Sequence, residues 1–157
     1  MAARSLTPSE ISLASSVFGD AIDYAQVKIA HHKWAFFQPK QTVMAPRGCI
    51  HFHPGGNLYC DDFCHADLDA QGLFIHEMTH VWQHQAGMNL VLRRHPFCRY
   101  DYTLKLGRPL RRYGIEQQAE IVRHIFMLRA GAQISGAVPL EQYRGVLPFC
   151  GDETRER

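Results

Sequence analysis

The sequence has no long hydrophobic run and no secretory leader. None of its 157 residues falls in a run of about eighteen apolar residues, the length that a membrane-spanning helix needs. The N-terminal MAARSLTPSE has one arginine but no apolar segment after it. We therefore expect a soluble protein that is made in the cytoplasm without a signal peptide and has no membrane span.

Neither positive nor negative charge is in large excess. Lys and Arg number 17 and Asp and Glu number 15, so the formal net charge is only +2. Domains that bind nucleic acids usually concentrate positive charge on one face or along one helix. The even balance of charges predicts that nucleic acid is not a partner.

The cysteines do not form a metal-binding framework. There are 5 of them, an odd number, and their positions match no zinc-ribbon spacing. This argues against a structural zinc site built from thiolates. Cys60 and Cys64 flank a short acidic loop, and the sequence leaves a disulfide across that loop and two reduced thiols as equal alternatives.

The composition is that of one folded unit. Hydrophobic residues make up 46% of the chain and charged residues 20%, values typical of globular proteins. A chain of this length can bury one substantial core but is short for two. We find no internal repeat, low-complexity segment or linker. Residues 1–157 are therefore predicted to form a single domain.

Two helices have clear start signals. The segment TPSE at residues 7–10 has capping-box spacing with proline at the first helical position, which predicts a helix to about Phe18. A second amphipathic pattern covers residues 70 to about 85, after Asp67 and Asp69, either of which can cap it. A further strong helix is predicted to begin near Ile115.

The region between these helices has features of strands. Residues 41–53 read QTVMAPRGCIHFH, with β-branched and aromatic residues between turn signals. This predicts two strands with tight turns, in which Ile50 and Phe52 face the same side. Together these patterns predict a small α+β domain with two central helices and a minor sheet or hairpin.

The motif HEMTH lies inside the second helical pattern. Helix positions i and i+4 differ by about 40° around the axis, so His76 and His80 project from one face and can bind one metal ion. Glu77 points elsewhere but stays near any water bound there. Two imidazoles and a carboxylate suit Zn²⁺, which leaves a fourth position for water, as in metal-dependent hydrolases.

The last helix offers the carboxylate. In GIEQQAE, Glu116 and Glu120 are also four residues apart and can face the same centre. One could bind the metal while the other accepts a hydrogen bond from a ligand imidazole. The alternative is that these histidines and glutamates are ordinary surface residues. That alternative requires a polar face with no cation to compensate it, which is costly if the face is buried.

Three longer stretches carry a family resemblance, namely HEMTHVWQHQ, YGIEQQAEI and GCIHFHPGGNLYCDDF. They resemble the zincin metallopeptidase domains, gluzincin-like in type, that occur alone or fused to the C-terminus of type VI secretion spike proteins and are called Vgr-related proteins. The resemblance covers roughly residues 42–128. It implies a small zincin-like fold, with an active-site helix that carries HExxH and a second helix that carries the glutamate ligand.

The resemblance also implies a role for each motif residue. His76 and His80 would be zinc ligands, Glu77 the general base, and Glu116 the third ligand. Glu120 would be the acidic partner behind a ligand. The family usually has aspartate at that position, so the longer glutamate keeps Glu120 as an alternative third ligand.

The tetrahedral oxyanion of such a reaction needs a further hydrogen-bond donor. Tyr113, just before the glutamate helix, is the main candidate for this catalytic role, and Tyr102 and His95 are others. The segment from His51 to Pro54 could serve as the edge strand along which an extended substrate aligns.

The function expected from these observations is zinc-dependent hydrolysis of amide bonds in a peptide or protein substrate. The resemblance implies an antibacterial type VI secretion effector that acts in the periplasm of a target cell, with a secretion spike and an immunity protein as partners. Two alternatives stay open. One is a non-catalytic binding module that zinc staples and that docks on a spike or cell wall, and the other is a peptidoglycan amidase.

Overall fold

Helices and a small sheet make up the described part of the chain. The computed structural model describes residues 2–93 and 99–149, so His95, Cys98 and Cys150 lie outside the described residues. Its α-helices are α1 (Pro8–Phe18), α2 (Leu68–Gln85), α3 (Leu90–Arg93) and α4 (Ile115–Arg129). Its 3₁₀ helices are Tyr24–Gln26, Phe63–His65, Leu110–Arg112 and Leu140–Tyr143. The predicted α+β class is confirmed.

The sheet has three short strands, β1 (Arg4–Ser5), β2 (Lys28–Ala30) and β3 (Cys49–His51). Their order is β1-β2-β3, with β1 antiparallel and β3 parallel to β2. Ile29 pairs with Ile50, and both side chains are buried together with Phe52. The prediction that Ile50 and Phe52 share the buried side is confirmed.

The prediction of two strands in residues 41–53 is confirmed for Cys49–His51 only. Met44 makes an isolated antiparallel bridge with His51, in which its amide donates to the His51 carbonyl at 3.1 Å. The buried Gln38 amide donates to the carbonyls of Thr42 and His51, both at 2.8 Å. A glutamine side chain therefore makes contacts that a longer strand pair would have made between backbones, and this could not be inferred from local patterns.

The start of α1 follows the predicted capping box. The Thr7 hydroxyl accepts a hydrogen bond from the Glu10 amide at 3.1 Å, and the Glu10 carboxylate accepts one from the Thr7 amide at 3.0 Å. The helix ends at Gly19, whose φ of 56° is a conformation that glycine adopts without steric cost.

Glu10 does more than cap the helix. Its buried carboxylate accepts hydrogen bonds from both terminal nitrogens of Arg4, at 2.9 and 3.0 Å, and from the Phe63 amide at 3.1 Å. It thereby joins β1, the start of α1 and the 3₁₀ helix at Phe63–His65. A buried charge is stable only when it is paired and hydrogen-bonded in this way.

We expect Glu10→Ala to lower the free energy of unfolding by about 2–4 kcal/mol, because it leaves the buried Phe63 amide without its acceptor and the Arg4 guanidinium without its counter-charge. Urea unfolding of the purified protein measures this change. Asp20→Ala removes an exposed carboxylate and is the matched control, with an expected change within about 0.5 kcal/mol. An equally small effect of Glu10→Ala would contradict the structural role.

The packing of α2 against α4 forms the centre of the molecule. Asp67 caps α2, accepting from the Ala70 amide at 2.8 Å, so α2 begins two residues before the predicted start. Gly72 permits close approach of the two helices, because a Cβ there would lie 2.8 Å from Met127 Sδ. The buried apolar residues of this contact include Phe74, Ile75, Met78, Ile121, Val122 and Ile125.

Two further expectations concern a membrane span and a disulfide across the loop between Cys60 and Cys64. No helix in residues 2–93 or 99–149 has the length and hydropathy needed to cross a bilayer. Cys60 and Cys64 both have free thiols, as does Cys49, so the loop disulfide is not formed.

Candidate metal centre

Three buried side chains from α2 and α4 converge at one point. His76 and His80 lie one turn apart on α2, as their spacing predicts, and Glu116 comes from the first turn of α4. Glu116 Oε2 lies 3.3 Å from His76 Nε2 and 3.2 Å from His80 Nε2. The exposed fractions are 5% for His76, 7% for His80 and 3% for Glu116. Two imidazole nitrogens therefore face a single carboxylate oxygen away from solvent.

Gln83 orients the ring of His80. Its side-chain oxygen lies 2.8 Å from His80 Nδ1, while its amide nitrogen donates to the Ile115 carbonyl and to Gln118 Oε1, both at 3.0 Å. Because the Gln83 nitrogen is already used as a donor, its oxygen accepts from the N–H at His80 Nδ1. This leaves the lone pair of His80 Nε2 facing the centre. Sequence reasoning missed Gln83, whose only signal is its position three residues after a ligand candidate.

Glu120 lies behind His76 rather than in the group of three. Its Oε1 is 2.8 Å from His76 Nδ1, on the ring edge opposite Nε2, and its side chain is partly exposed. The contact is ionic, because Oε1 stands off the direction of the ring N–H bond. The geometry thus brings Glu116 to the two Nε2 atoms and Glu120 to the outer nitrogen.

The charges of the group favour a cation. Burial lowers the pKa of His76, but its contacts with Glu116 and Glu120 outweigh burial and raise the pKa to about 9. Burial raises the pKa of Glu116, yet hydrogen bonding to His76 and His80 holds that pKa far below its usual range. Charged carboxylates at a buried site require a nearby positive charge.

The donor set fits a zinc ion. Two imidazole nitrogens and a carboxylate oxygen within 4.8 Å of one another are ligand types that zinc accepts. Within residues 2–93 and 99–149, this group has three members rather than four. A tetrahedral ion bound by three protein atoms keeps one position for water, as catalytic zinc sites do.

Two cavities border the group. The larger, of about 710 Å³, has His80 and Glu116 at its polar end and apolar side chains elsewhere, among them Trp34, Phe37, Leu90 and Val91. The smaller, of about 270 Å³, is lined by His76, Glu77, Tyr100, Glu120 and Arg123 together with residues 41–43 and Leu73. Buried Glu77 thus shares a cavity with a ligand candidate, His76.

Thr42 lines both cavities, so the segment around it borders each of them. The predicted substrate edge at His51–Pro54 is wrong at its first residue. Both the amide and the carbonyl of His51 are bonded to Met44, and therefore cannot pair with another chain. Met44, Ala45 and Pro46 line the larger cavity in its place.

Tyr113 and Tyr102, the predicted oxyanion donors that fall within the described residues, have hydroxyls that contact other groups. The Tyr113 hydroxyl accepts from the Lys105 amide at 3.0 Å, and the Arg108 guanidinium covers its ring at 4.8 Å. Of the described residues that line the two cavities, none is Tyr113 or Tyr102. The Tyr102 hydroxyl instead contacts His124 and Tyr143.

Tyr100 is the tyrosine nearest to the group. Its ring stacks on His76 with centroids 6.1 Å apart and planes 17° apart, and it lines the smaller cavity with Glu77. Sequence reasoning missed it, because nothing in the local pattern separates Tyr100 from the other tyrosines of that region.

Known proteins that are similar to this chain belong to type VI secretion. The chain matches no protein-family model. It is 46% identical over 135 residues to the type VI secretion system spike protein VgrG2b of Pseudomonas aeruginosa. The aligned region covers 80% of this chain but 13% of the spike protein. Among solved structures, the effector domain of Pseudomonas aeruginosa VgrG2b is 43% identical with a TM-score of 0.73, over 83% of this chain and 76% of that one. The chain therefore spans a small part of the spike protein and most of its effector domain.

Proposed function

The chain belongs to the family of the VgrG2b effector domain, and from that premise we propose that it is a zinc-dependent peptidase. The observation that carries the proposal is the convergence of two imidazole nitrogens on the buried Glu116 carboxylate, with buried Glu77 beside them. His76, His80 and Glu116 would hold the ion. The proposal covers this domain, which is the part of the spike protein that the chain matches.

The chemistry divides between the ion and the chain. When bound, zinc lowers the pKa of water and polarises a carbonyl group. The carboxylate of Glu77 accepts a proton from the attacking water and then donates it to the leaving nitrogen of the amide. Gln83 keeps His80 in the tautomer that binds the ion, and Glu120 contacts His76 at Nδ1, on the ring edge away from the ion. Catalysis then rests on proton transfer at a single carboxylate.

Tyr100 replaces Tyr113 as the proposed contact for the developing oxyanion. Its ring stacks on His76 and it borders the cavity that holds Glu77. Tyr113 lines neither cavity, so its predicted catalytic role requires that the segment before α4 move towards the group of three.

The larger cavity supports a protein substrate over peptidoglycan. Its walls are apolar and aromatic around Trp34, Phe37 and Leu90, which suits a bulky apolar side chain next to the cleaved bond. Peptidoglycan stems carry mainly methyl, carboxylate and amine groups, which gain little from such walls. The amidase alternative is therefore the weaker one.

Zinc content and hydrolysis test the proposal directly. We expect the purified chain to bind about one zinc per molecule and to cleave an unfolded protein, with loss of cleavage after chelation and recovery on adding zinc. The products should show bulky apolar residues beside the cut, preferred over alanine by about 10-fold or more. Trp34→Ala should reduce that preference while Glu77-dependent cleavage continues.

Other results would favour the alternatives. Stoichiometric zinc with no cleavage of any peptide, protein or peptidoglycan would support the binding module. Cleavage of purified peptidoglycan but not of proteins would support the amidase. Among the described residues only three donors converge, which weighs against the first, because a purely structural zinc site usually has four protein ligands.

The similarity to VgrG2b supports delivery of this domain by type VI secretion. VgrG2b is a spike protein of the type VI secretion system, which supports transport of this domain with a secretion spike into another cell. Action in the target periplasm and an immunity protein in the producing cell are predictions of the same proposal. Expression in a laboratory bacterial host with and without an export signal tests them: toxicity only on export would place the substrate in the periplasm, and toxicity without export would contradict it.

A further inference from the structure

A row of polar side chains continues from the outer side of the metal centre towards the C-terminal part of the chain. Glu120 Oε1 lies 2.8 Å from His76 Nδ1, and Glu120 Oε2 lies 3.3 Å from His124 Nε2. The Tyr102 hydroxyl is 2.5 Å from His124 Nδ1 and 2.7 Å from the Tyr143 hydroxyl. The row therefore links His76 to Tyr143 through three intermediate side chains.

The row comes from three separate parts of the fold. Glu120 and His124 are one turn apart on α4, Tyr102 belongs to the irregular segment before it, and Tyr143 ends the 3₁₀ helix Leu140–Tyr143. The Tyr143 side chain is fully buried. Burial raises the pKa of both tyrosine hydroxyls, so both are protonated donors at neutral pH.

Donor and acceptor counting gives the row a direction. If Tyr143 donates to the Tyr102 oxygen, the Tyr102 hydroxyl donates to His124 Nδ1, and the proton of the neutral ring then resides on Nε2. That nitrogen faces Glu120, an acceptor-only group when ionised. Glu120 is thereby held with its other oxygen towards His76 Nδ1, and His76 Nε2 faces the centre.

A further cation acts on the same carboxylate. Arg123 Nη1 lies 3.5 Å from Glu120 Oε1, the oxygen that contacts His76, while His124 faces Oε2. Arg123 therefore competes with His76 for one oxygen. His124 contacts the other oxygen, Oε2. This contact can therefore set the orientation of the Glu120 carboxylate.

We propose that His124, Tyr102 and Tyr143 are positioning residues that act through Glu120 to hold His76 in its metal-binding orientation. The inference rests on the metal site of the proposed function. It connects that site with the 3₁₀ helix Leu140–Tyr143, so a change at Tyr143 alters the affinity for the ion. Partners that orient a ligand imidazole typically change metal affinity 10- to 100-fold when removed.

The test measures zinc affinity separately from folding. The full chain, Tyr102→Phe, Tyr143→Phe and His124→Ala are compared by competition with a chromophoric chelator for Zn²⁺, and by the visible absorption of bound Co²⁺, which reports ligand geometry. Tyr24→Phe is the matched control, because its hydroxyl donates to the Gly19 carbonyl at 2.6 Å far from the centre. Thermal unfolding of each metal-free protein is recorded in parallel.

We expect Tyr102→Phe and His124→Ala to weaken Zn²⁺ binding by about 10-fold or more and to shift the Co²⁺ band. Tyr24→Phe should match Tyr102→Phe in metal-free stability yet bind zinc as the wild type does. His124→Gln should recover part of the affinity, since its amide can both accept from Tyr102 and donate to Glu120. If His124→Ala does not fold, Tyr102→Phe decides alone.

A failure of the positioning role can be distinguished from a failure of the metal site. Zinc affinities within twofold of the wild type for Tyr102→Phe and His124→Ala, with unchanged Co²⁺ bands, would overturn the positioning role and leave the metal site intact. A wild-type chain that takes up no zinc or cobalt would overturn the metal site of the proposed function, and this inference with it. Equal losses of affinity in Tyr102→Phe and Tyr24→Phe would show a general effect of stability and would also overturn it.

Discussion

Glu77→Gln is expected to bind zinc as the wild type does and to lose about 10²- to 10⁴-fold in kcat, the range that a general base contributes. The amide keeps the size of the carboxylate but cannot accept a proton. Glu77 is buried beside His76 and borders the smaller cavity, while the three donor atoms that converge belong to other residues. Proton transfer should therefore fail without disturbance of the metal site.

Cleavage of an unfolded protein and zinc content, measured on the same preparation, check this prediction. Glu141→Gln changes an exposed carboxylate on the 3₁₀ helix and serves as the control, with both quantities unchanged. Undiminished cleavage by Glu77→Gln would remove the assigned base. Loss of zinc from that variant would make Glu77 part of the ligand set instead.

Glu116→Ala is expected to lose most of its zinc, whereas Glu120→Ala should keep a site weakened by about 10- to 100-fold. Glu116 Oε2 lies within 3.3 Å of both Nε2 atoms, so its removal takes away a donor atom. Glu120 contacts His76 at Nδ1, on the other edge of the ring, so its removal leaves all three donors in place.

Elemental analysis of the two variants beside the wild type measures the difference, and titration with a competing chelator gives the affinities. Gln117→Ala removes a half-buried side chain of the same helical turn, one that accepts from the Gly114 amide at 2.9 Å, and so controls for changes in α4 itself. Retained zinc in Glu116→Ala together with complete loss in Glu120→Ala would exchange the two roles. Zinc bound equally well by both variants would contradict the proposed site.

Much of the fold follows from short-range patterns. The capping box at Thr7 and Glu10 and the beginning of α4 at Ile115 were predictable because capping and helical periodicity involve residues within one or two turns. Residues 41–53 were harder. The contact that shapes them comes from the Gln38 side chain, and strand propensity carries no signal for a side chain that replaces a backbone partner.

The convergence of His76 and His80 could be predicted for the same reason, since four residues on a helix return to the same face. The choice between Glu116 and Glu120 could not. Both lie on one side of α4, one turn apart, and only the packing of α4 against α2 determines which carboxylate meets the Nε2 atoms.

The sequence by itself determined the local geometry of this protein: that α1, α2 and α4 form helices, where they begin to within about two residues, and that two histidines and a glutamate occupy one region of α2. Helical periodicity and capping are short-range, so they can be read without knowing the fold. Only the tertiary structure decided which residues surround that region. The contacts of Gln83 with Ile115 and of Tyr102 with Tyr143 join residues more than thirty positions apart. Such pairs meet because whole elements pack, and no local pattern encodes which side chains will then face each other.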